Sequence, residues 1–127
     1  MSLILLLDRN AEFCEALREG LERHGFDAIV ASTVEAALQE CQAGRVDAVV
    51  ADVGTILAHV NAFTATVQAA STTRAIITSG YDQGYMLEHH LPLMMQFPFM
   101  GKPFGPSELR EALSKLLNGK CEADPHY

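Results

Sequence analysis

The sequence predicts an α/β domain, a five-stranded parallel sheet with helices on both faces. Short runs that are apolar at nearly every position alternate with longer segments whose apolar residues recur at helical spacing. Runs of the first kind suit strands covered on both faces, and each parallel crossover needs a helix. Five strands and five helices in strict alternation then imply right-handed crossovers.

Leu3–Leu7 (LILLL) is the first strand. Asn10 or Ala11 to His24 follows as a helix with Phe13, Ala16, Leu17 and Leu21 on one side and charges on the other, stopped by Gly25. Asp27–Ala31 is the second strand. Ser32 or Thr33 caps a helix reaching residue 43, with a stripe of Val34, Ala37, Leu38 and Cys41, and Gly44 stops it. Residues 47–51 (DAVVA) form the third strand, which ends at Asp52. Residues 54–70 suit a helix through Leu57, Val60, Phe63 and Val67, although Thr64 and Thr66 lower its propensity. Residues 75–78 are the fourth strand, and a short helix near 85–90 precedes Pro92. Residues 97–101 form the fifth strand, at an edge because Pro98 cannot donate to a ladder. The last helix opens at Pro106 and carries Leu109, Ala112, Leu113, Leu116 and Leu117 on one face; Gly119 closes it.

At 127 residues the chain is one domain, taken here as 1–119, with 120–127 a frayed tail. Sixteen acids against nine bases give a net charge of -7, which disfavours nucleic acid as a partner of the bulk surface. Cys14, Cys41 and Cys121 show neither metal spacing nor an even count; Cys14 and Cys41 read as small core residues in a reducing cytoplasm. No apolar run is long enough for a membrane helix, and the N-terminal run lacks the flanks of a signal peptide.

In a parallel sheet, ligands bind beyond the carboxyl ends of the strands. The residues there are Asp8, Asp52, Ser79 and Lys102: two acids, a hydroxyl and an amine on one rim. No glycine-rich loop follows the first strand, which counts against a nucleotide site. The motifs ILLLD at Asp8, VDAVVAD at Asp52, AIITSGY at Ser79 and GKPF at Lys102 stand in order at strand ends. Together they resemble the receiver domain of two-component response regulators over residues 2–118.

The resemblance implies a flavodoxin-like (βα)5 receiver fold and a signalling role. The chain would then be no enzyme beyond self-phosphorylation and autodephosphorylation. Asp52 would be the phosphoacceptor, a carboxylate that attacks phosphorus and becomes an acyl phosphate. Lys102 would pair with Asp52 and then with the phosphoryl oxygens, Ser79 would donate to them, and Phe99 would be the aromatic switch. Thr78 is the neighbouring alternative to Ser79, and an acid that merely satisfies loop amides is the plainer reading of Asp52. The implied partners are a histidine kinase or phosphotransfer protein and a downstream protein target. A homodimer would use the face of the fourth helix, fifth strand and last helix, residues 86–117. Nucleic acid and membrane are not expected as direct partners.

Two features depart from the pattern. Receivers end the first strand in two adjacent acids that bind Mg²⁺ with the phosphoacceptor; here Arg9 stands where the second belongs. Mg²⁺ at Asp8 and Asp52 would therefore be weakened or absent. Arg9 either swings in to pair with Asp8 or Asp52 or points to solvent, and mutual repulsion of the acids favours the first. The loop after Asp52 has Ile56 at the usual proline position, with Asn61 and Ala62 the nearest turn-like pair. His89 and His90, adjacent on a helix, point about 100° apart and do not chelate. Met94, Met95 and the stretch Phe97 to Met100 read mainly as core, with a partner surface as the alternative.

Overall fold

A computed structural model describes residues 2–70 and 73–118. Five parallel strands form one sheet in the order β2-β1-β3-β4-β5: β1 Leu3–Leu7, β2 Asp27–Ala31, β3 Ala48–Asp52, β4 Arg74–Ser79 and β5 Phe99–Gly101. The helices are α1 Ala11–Arg23, α2 Val34–Gln42, α3 Val53–Ile56, α4 Val60–Ala69, α5 Gln83–His89, α6 Leu91–Gln96 and α7 Pro106–Leu117.

Strand alternation sorts the core into two layers. Ile4, Leu6, Val50 and Ile76 face α1 and α7, where they meet Cys14, Leu17, Leu21, Leu109 and Leu113. Leu5, Leu7, Val49 and Ile77 face the other way, onto Val34 and Cys41 of α2, Phe63 of α4, Met86 of α5 and Leu93 of α6. Both expected core cysteines are buried. Each fully buried aliphatic side chain contributes about 1.5–3 kcal/mol relative to exposure.

The caps follow the expected chemistry. Asn10 Oδ1 accepts from the Phe13 amide at 3.1 Å and Thr33 Oγ1 from the Ala36 amide at 3.2 Å. Gly25 and Gly44 end α1 and α2 at φ of 91° and 78°, backbone that a side chain would strain. Glu108 Oε1 accepts from the Gly105 amide at 3.1 Å at the start of α7. That helix lies so close to α1 that a Cβ on Gly20 would collide with the Pro106 ring.

Three elements differ from expectation. The single helix over 54–70 is instead α3, a 3-10 turn at Leu57–His59 and α4, so Asn61 and Ala62 are helical rather than a turn. Helix formation does not stop at Pro92, because proline is tolerated in the first turn of α6; the break falls at His90 (φ -135°, ψ 40°). The fifth strand is shorter than expected, Phe99–Gly101. It does lie at the sheet edge, with Pro98 just before it offering its carbonyl to the Ile77 amide at 2.9 Å. The expected tail, 120–127, with Cys121, and the closing Gly119 lie outside the described residues.

Candidate functional site

The direction of strand addition reverses between β1 and β3, and a crevice forms at the carboxyl end of such a pair. Asp8 follows β1 and Asp52 ends β3, so the topology places both carboxylates in that crevice. Lys102, just past β5, reaches back to them. Its Nζ donates to Asp8 Oδ2 at 2.7 Å and to Asp52 Oδ1 at 3.1 Å. The ammonium also lies over the Phe13 ring, 4.8 Å from its centroid. Phe13 in turn meets Phe104 edge-on at 5.5 Å.

The three charged side chains are largely sheltered: 9% of the Asp8 side chain, 14% of Asp52 and 24% of Lys102 remain exposed. Burial alone pushes the Lys102 pKa down. Its hydrogen bonds to Asp8 and Asp52, with their charge, more than offset this and leave it above its ordinary value. Lys102 is therefore a firmly charged ammonium.

The remaining carboxylate oxygens are engaged as well. Asp8 Oδ1 accepts from the Asn10 amide at 2.9 Å. Asp52 Oδ2 accepts from the Thr55 amide at 3.1 Å and from its hydroxyl at 2.9 Å, which makes Asp52 the N-cap of α3. The plainer reading of Asp52, satisfaction of a loop amide, thus holds alongside its place in the acid cluster.

Ser79 is buried at the end of β4 and belongs to the same rim. Its Oγ accepts from the Tyr81 amide at 2.9 Å, and its carbonyl accepts from the Lys102 amide at 2.8 Å. Thr78 pairs in register with Asp52 and is also buried. Phe99 is half-buried against the α2–α6 layer.

Arg9 takes neither side of the expected choice cleanly. Its side chain is exposed and makes no ion pair among the described residues, so the expected pairing with Asp8 or Asp52 is absent; Lys102 already bridges the two acids and eases their repulsion. Yet it does not simply leave the rim. A Cβ on Gly54 would stand 3.2 Å from Asp52 Oδ2 and 3.5 Å from Arg9 Nη2, so both border the same small gap. The Arg9 amide donates to Thr55 Oγ1 at 3.2 Å, tying the two loops together.

No protein-family model matches the chain, and no curated protein matches it. Solved structures do. A response regulator from Thermotoga maritima superposes with a TM-score of 0.80 at 19% identity, covering 94% of this chain and 99% of that one. The chemotaxis response regulator CheY4 of Vibrio cholerae gives 0.77 at 20% identity, covering 92% and 99%. A response regulator from Desulfuromonas acetoxidans gives 0.77 at 22% identity, covering 93% and 98%. The chain has the response-regulator receiver fold. At these identities the likeness fixes the fold, and the chemistry of the rim rests on the residues themselves.

Receivers are associated with Mg²⁺ at this rim, and the residues present here do not fit it. Mg²⁺ wants near-octahedral oxygen ligands with anionic groups among them. Among the described residues no group of three or more His, Cys, Asp or Glu side chains could hold a metal. The two carboxylates share one ammonium, all four of their oxygens accept hydrogen bonds, and a guanidinium borders the gap beside Asp52. A dication would have to displace Lys102 and tolerate Arg9.

Three contributors escaped the sequence reading: Thr55, Gly54 and Phe13. Thr55 had a signal, since an Asp that ends a strand and opens a helix caps the amide three residues on. Phe13 stands on the apolar face of α1, where spacing alone reads as core, and nothing in the sequence marks it as the seat of an ammonium. Gly54 acts by lacking a side chain.

Proposed function

We propose that the chain is a receiver module in a two-component phosphorelay. Asp52 accepts a phosphoryl group from a histidine kinase or phosphotransfer protein, and the domain signals to a downstream protein by contact. The observation that supports this reading is the Lys102 ammonium held between Asp8 and Asp52, at 2.7 and 3.1 Å, in the crevice between β1 and β3. A carboxylate beside a firmly held cation has both a nucleophilic oxygen and a charge to meet the phosphoryl oxygens. Ser79 would turn its hydroxyl from the Tyr81 amide toward those oxygens, and Phe99 would respond by moving inward. The face of α5, α6, β5 and α7 would receive the partner or a second copy, and the module would work in the cytoplasm.

A second reading has an observation of its own. Arg9 in place of an acid, with every oxygen of Asp8 and Asp52 already accepting a hydrogen bond, favours an interaction module that works without phosphorylation. Incubation with acetyl phosphate, with and without Mg²⁺, followed by intact-mass measurement separates the two. A phosphoryl increment that disappears in Asp52→Asn supports the phosphoacceptor. No increment under either condition supports the interaction module.

A further inference from the structure

We infer that phosphorylation of Asp52 proceeds without a divalent cation, with the Arg9 guanidinium supplying the positive charge on the side of the phosphoryl group opposite Lys102. The inference rests on the phosphoacceptor reading above and concerns the chemistry of the same rim.

Transfer of a phosphoryl group spreads negative charge over its equatorial oxygens, and catalysis consists largely of placing cations against them. Here the cations come from the chain. Lys102 Nζ is fixed on Asp52 Oδ1 by its two carboxylate bonds and the Phe13 ring. Arg9 Nη2 and the other oxygen, Oδ2, border the same gap above Gly54. The guanidinium is exposed and makes no ion pair among the described residues, so it can meet an incoming oxyanion without first losing a partner. Its planar array of N–H donors suits two phosphoryl oxygens at once.

The charge balance points the same way. Asp8, Asp52, Lys102 and Arg9 sum to zero, a poor trap for a dication but one that a phosphoryl group can enter. Gly54 keeps the way open, since a Cβ would sit 3.2 Å from Asp52 Oδ2 and 3.5 Å from Arg9 Nη2. Atoms balance simply. An Asp52 oxygen forms the new bond to phosphorus as the bond from phosphorus to the donor's acetyl oxygen breaks. The electron pair of that bond leaves with acetate.

The test uses acetyl phosphate, intact-mass measurement and the whole chain, in excess EDTA and in excess Mg²⁺. Wild type is expected to gain the phosphoryl increment at similar rates in both. Arg9→Gln should slow the EDTA reaction by about a hundredfold or more, the low end for removing one donor from a reacting oxyanion. Gly54→Ala should slow it too. Arg9→Asp should make the reaction depend on Mg²⁺. Wild-type phosphorylation that appears only with Mg²⁺ overturns the inference and leaves the phosphoacceptor reading intact. No increment in either medium overturns that reading and the inference with it. An independent readout is Mn²⁺ binding, followed by water-proton relaxation. Wild type should show no saturable binding and Arg9→Asp should gain it, whereas saturable wild-type binding lost in Asp8→Asn overturns the inference.

Discussion

On one face of the sheet, α1 and α7 close over Ile4, Leu6, Val50 and Ile76, near enough to each other that Gly20 has no room for a Cβ. On the other face, the segment from 83 to 96 breaks at His90. There Leu87, Leu91 and Met95, four residues apart, remain 47, 46 and 77% exposed. The rim is suspended between these two faces. Lys102 is braced from the closed one through Phe13 and Phe104, while Ser79 runs into the loosely covered one through Tyr81. The contrast sets an ammonium held by two carboxylates and a ring beside a hydroxyl held by one backbone amide. Such a division suits a switch, because elements that move are drawn from regions with fewer buried contacts.

The largest effect that tests this contrast is a pair of matched truncations. Leu113→Ala on α7 removes a side chain with no exposed surface and should cost about 2–5 kcal/mol. Leu91→Ala on α6 should cost under about 1 kcal/mol, since half its surface is already in water. Urea unfolding of both variants measures the difference. Equal losses would mean that α6 is as firmly packed as α7 and that the contrast is false.

A smaller effect is expected in alkali. Burial, and after it the Asp8 carboxylate, pushes the Cys14 thiol from 9.0 up to about 11. The unfolded thiol ionises first, so the stability tied to this group is complete below pH 9 and lost as pH rises to about 11. Full loss is on the order of 3 kcal/mol. Lys102, also raised, contributes stability that is complete below its ordinary 10.5 and lost as pH climbs from there through the folded value. Urea midpoints across this range should fall in wild type and fall less in Cys14→Ala. Cys41 lies in the other layer and is raised by burial; Cys41→Ala should flatten the slope less.

Three helices, α1 and α7 on the closed face and α2 on the other, were legible in the sequence because their determinants are local. Helical spacing, a Thr cap on α2 and the stopping glycines after α1 and α2 act within a few residues, so α1, α2 and α7 stand where expected. The strand-end rule brought Asp8, Asp52 and Lys102 together without any knowledge of distances. What escaped depends on tertiary geometry. Residues 53–69 divide because Asp52 must cap α3 before the chain turns into α4. The backbone continues helically past Pro92 because proline's missing amide is no loss in a first turn. The position of Arg9 could not be read from charge repulsion between acids, since the ammonium that eases the repulsion lies over ninety positions along the chain.

The smallest expected effect lies in the ring stack that ties the Ser79 loop to α5. The Tyr81 and Tyr85 rings stack at 4.1 Å and 21°, and Tyr85 stacks on His89 at 4.0 Å and 17°. The Tyr81 amide meanwhile donates to Ser79 Oγ at 2.9 Å. Tyr85→Ala removes the middle ring. An aromatic pair is worth about 0.5–1.5 kcal/mol, and two exposed stacks at the low end put the global loss at about 1 kcal/mol. The informative readout is local. Hydrogen exchange at the Tyr81 amide and in α5 should accelerate, while amides of α1 and α7 keep their protection. If exchange accelerates equally on both faces, the stack is part of the global core, and Ser79 is held as rigidly as Lys102. If it accelerates only around Ser79, the hydroxyl can be reoriented without disturbing the wall that holds the ammonium.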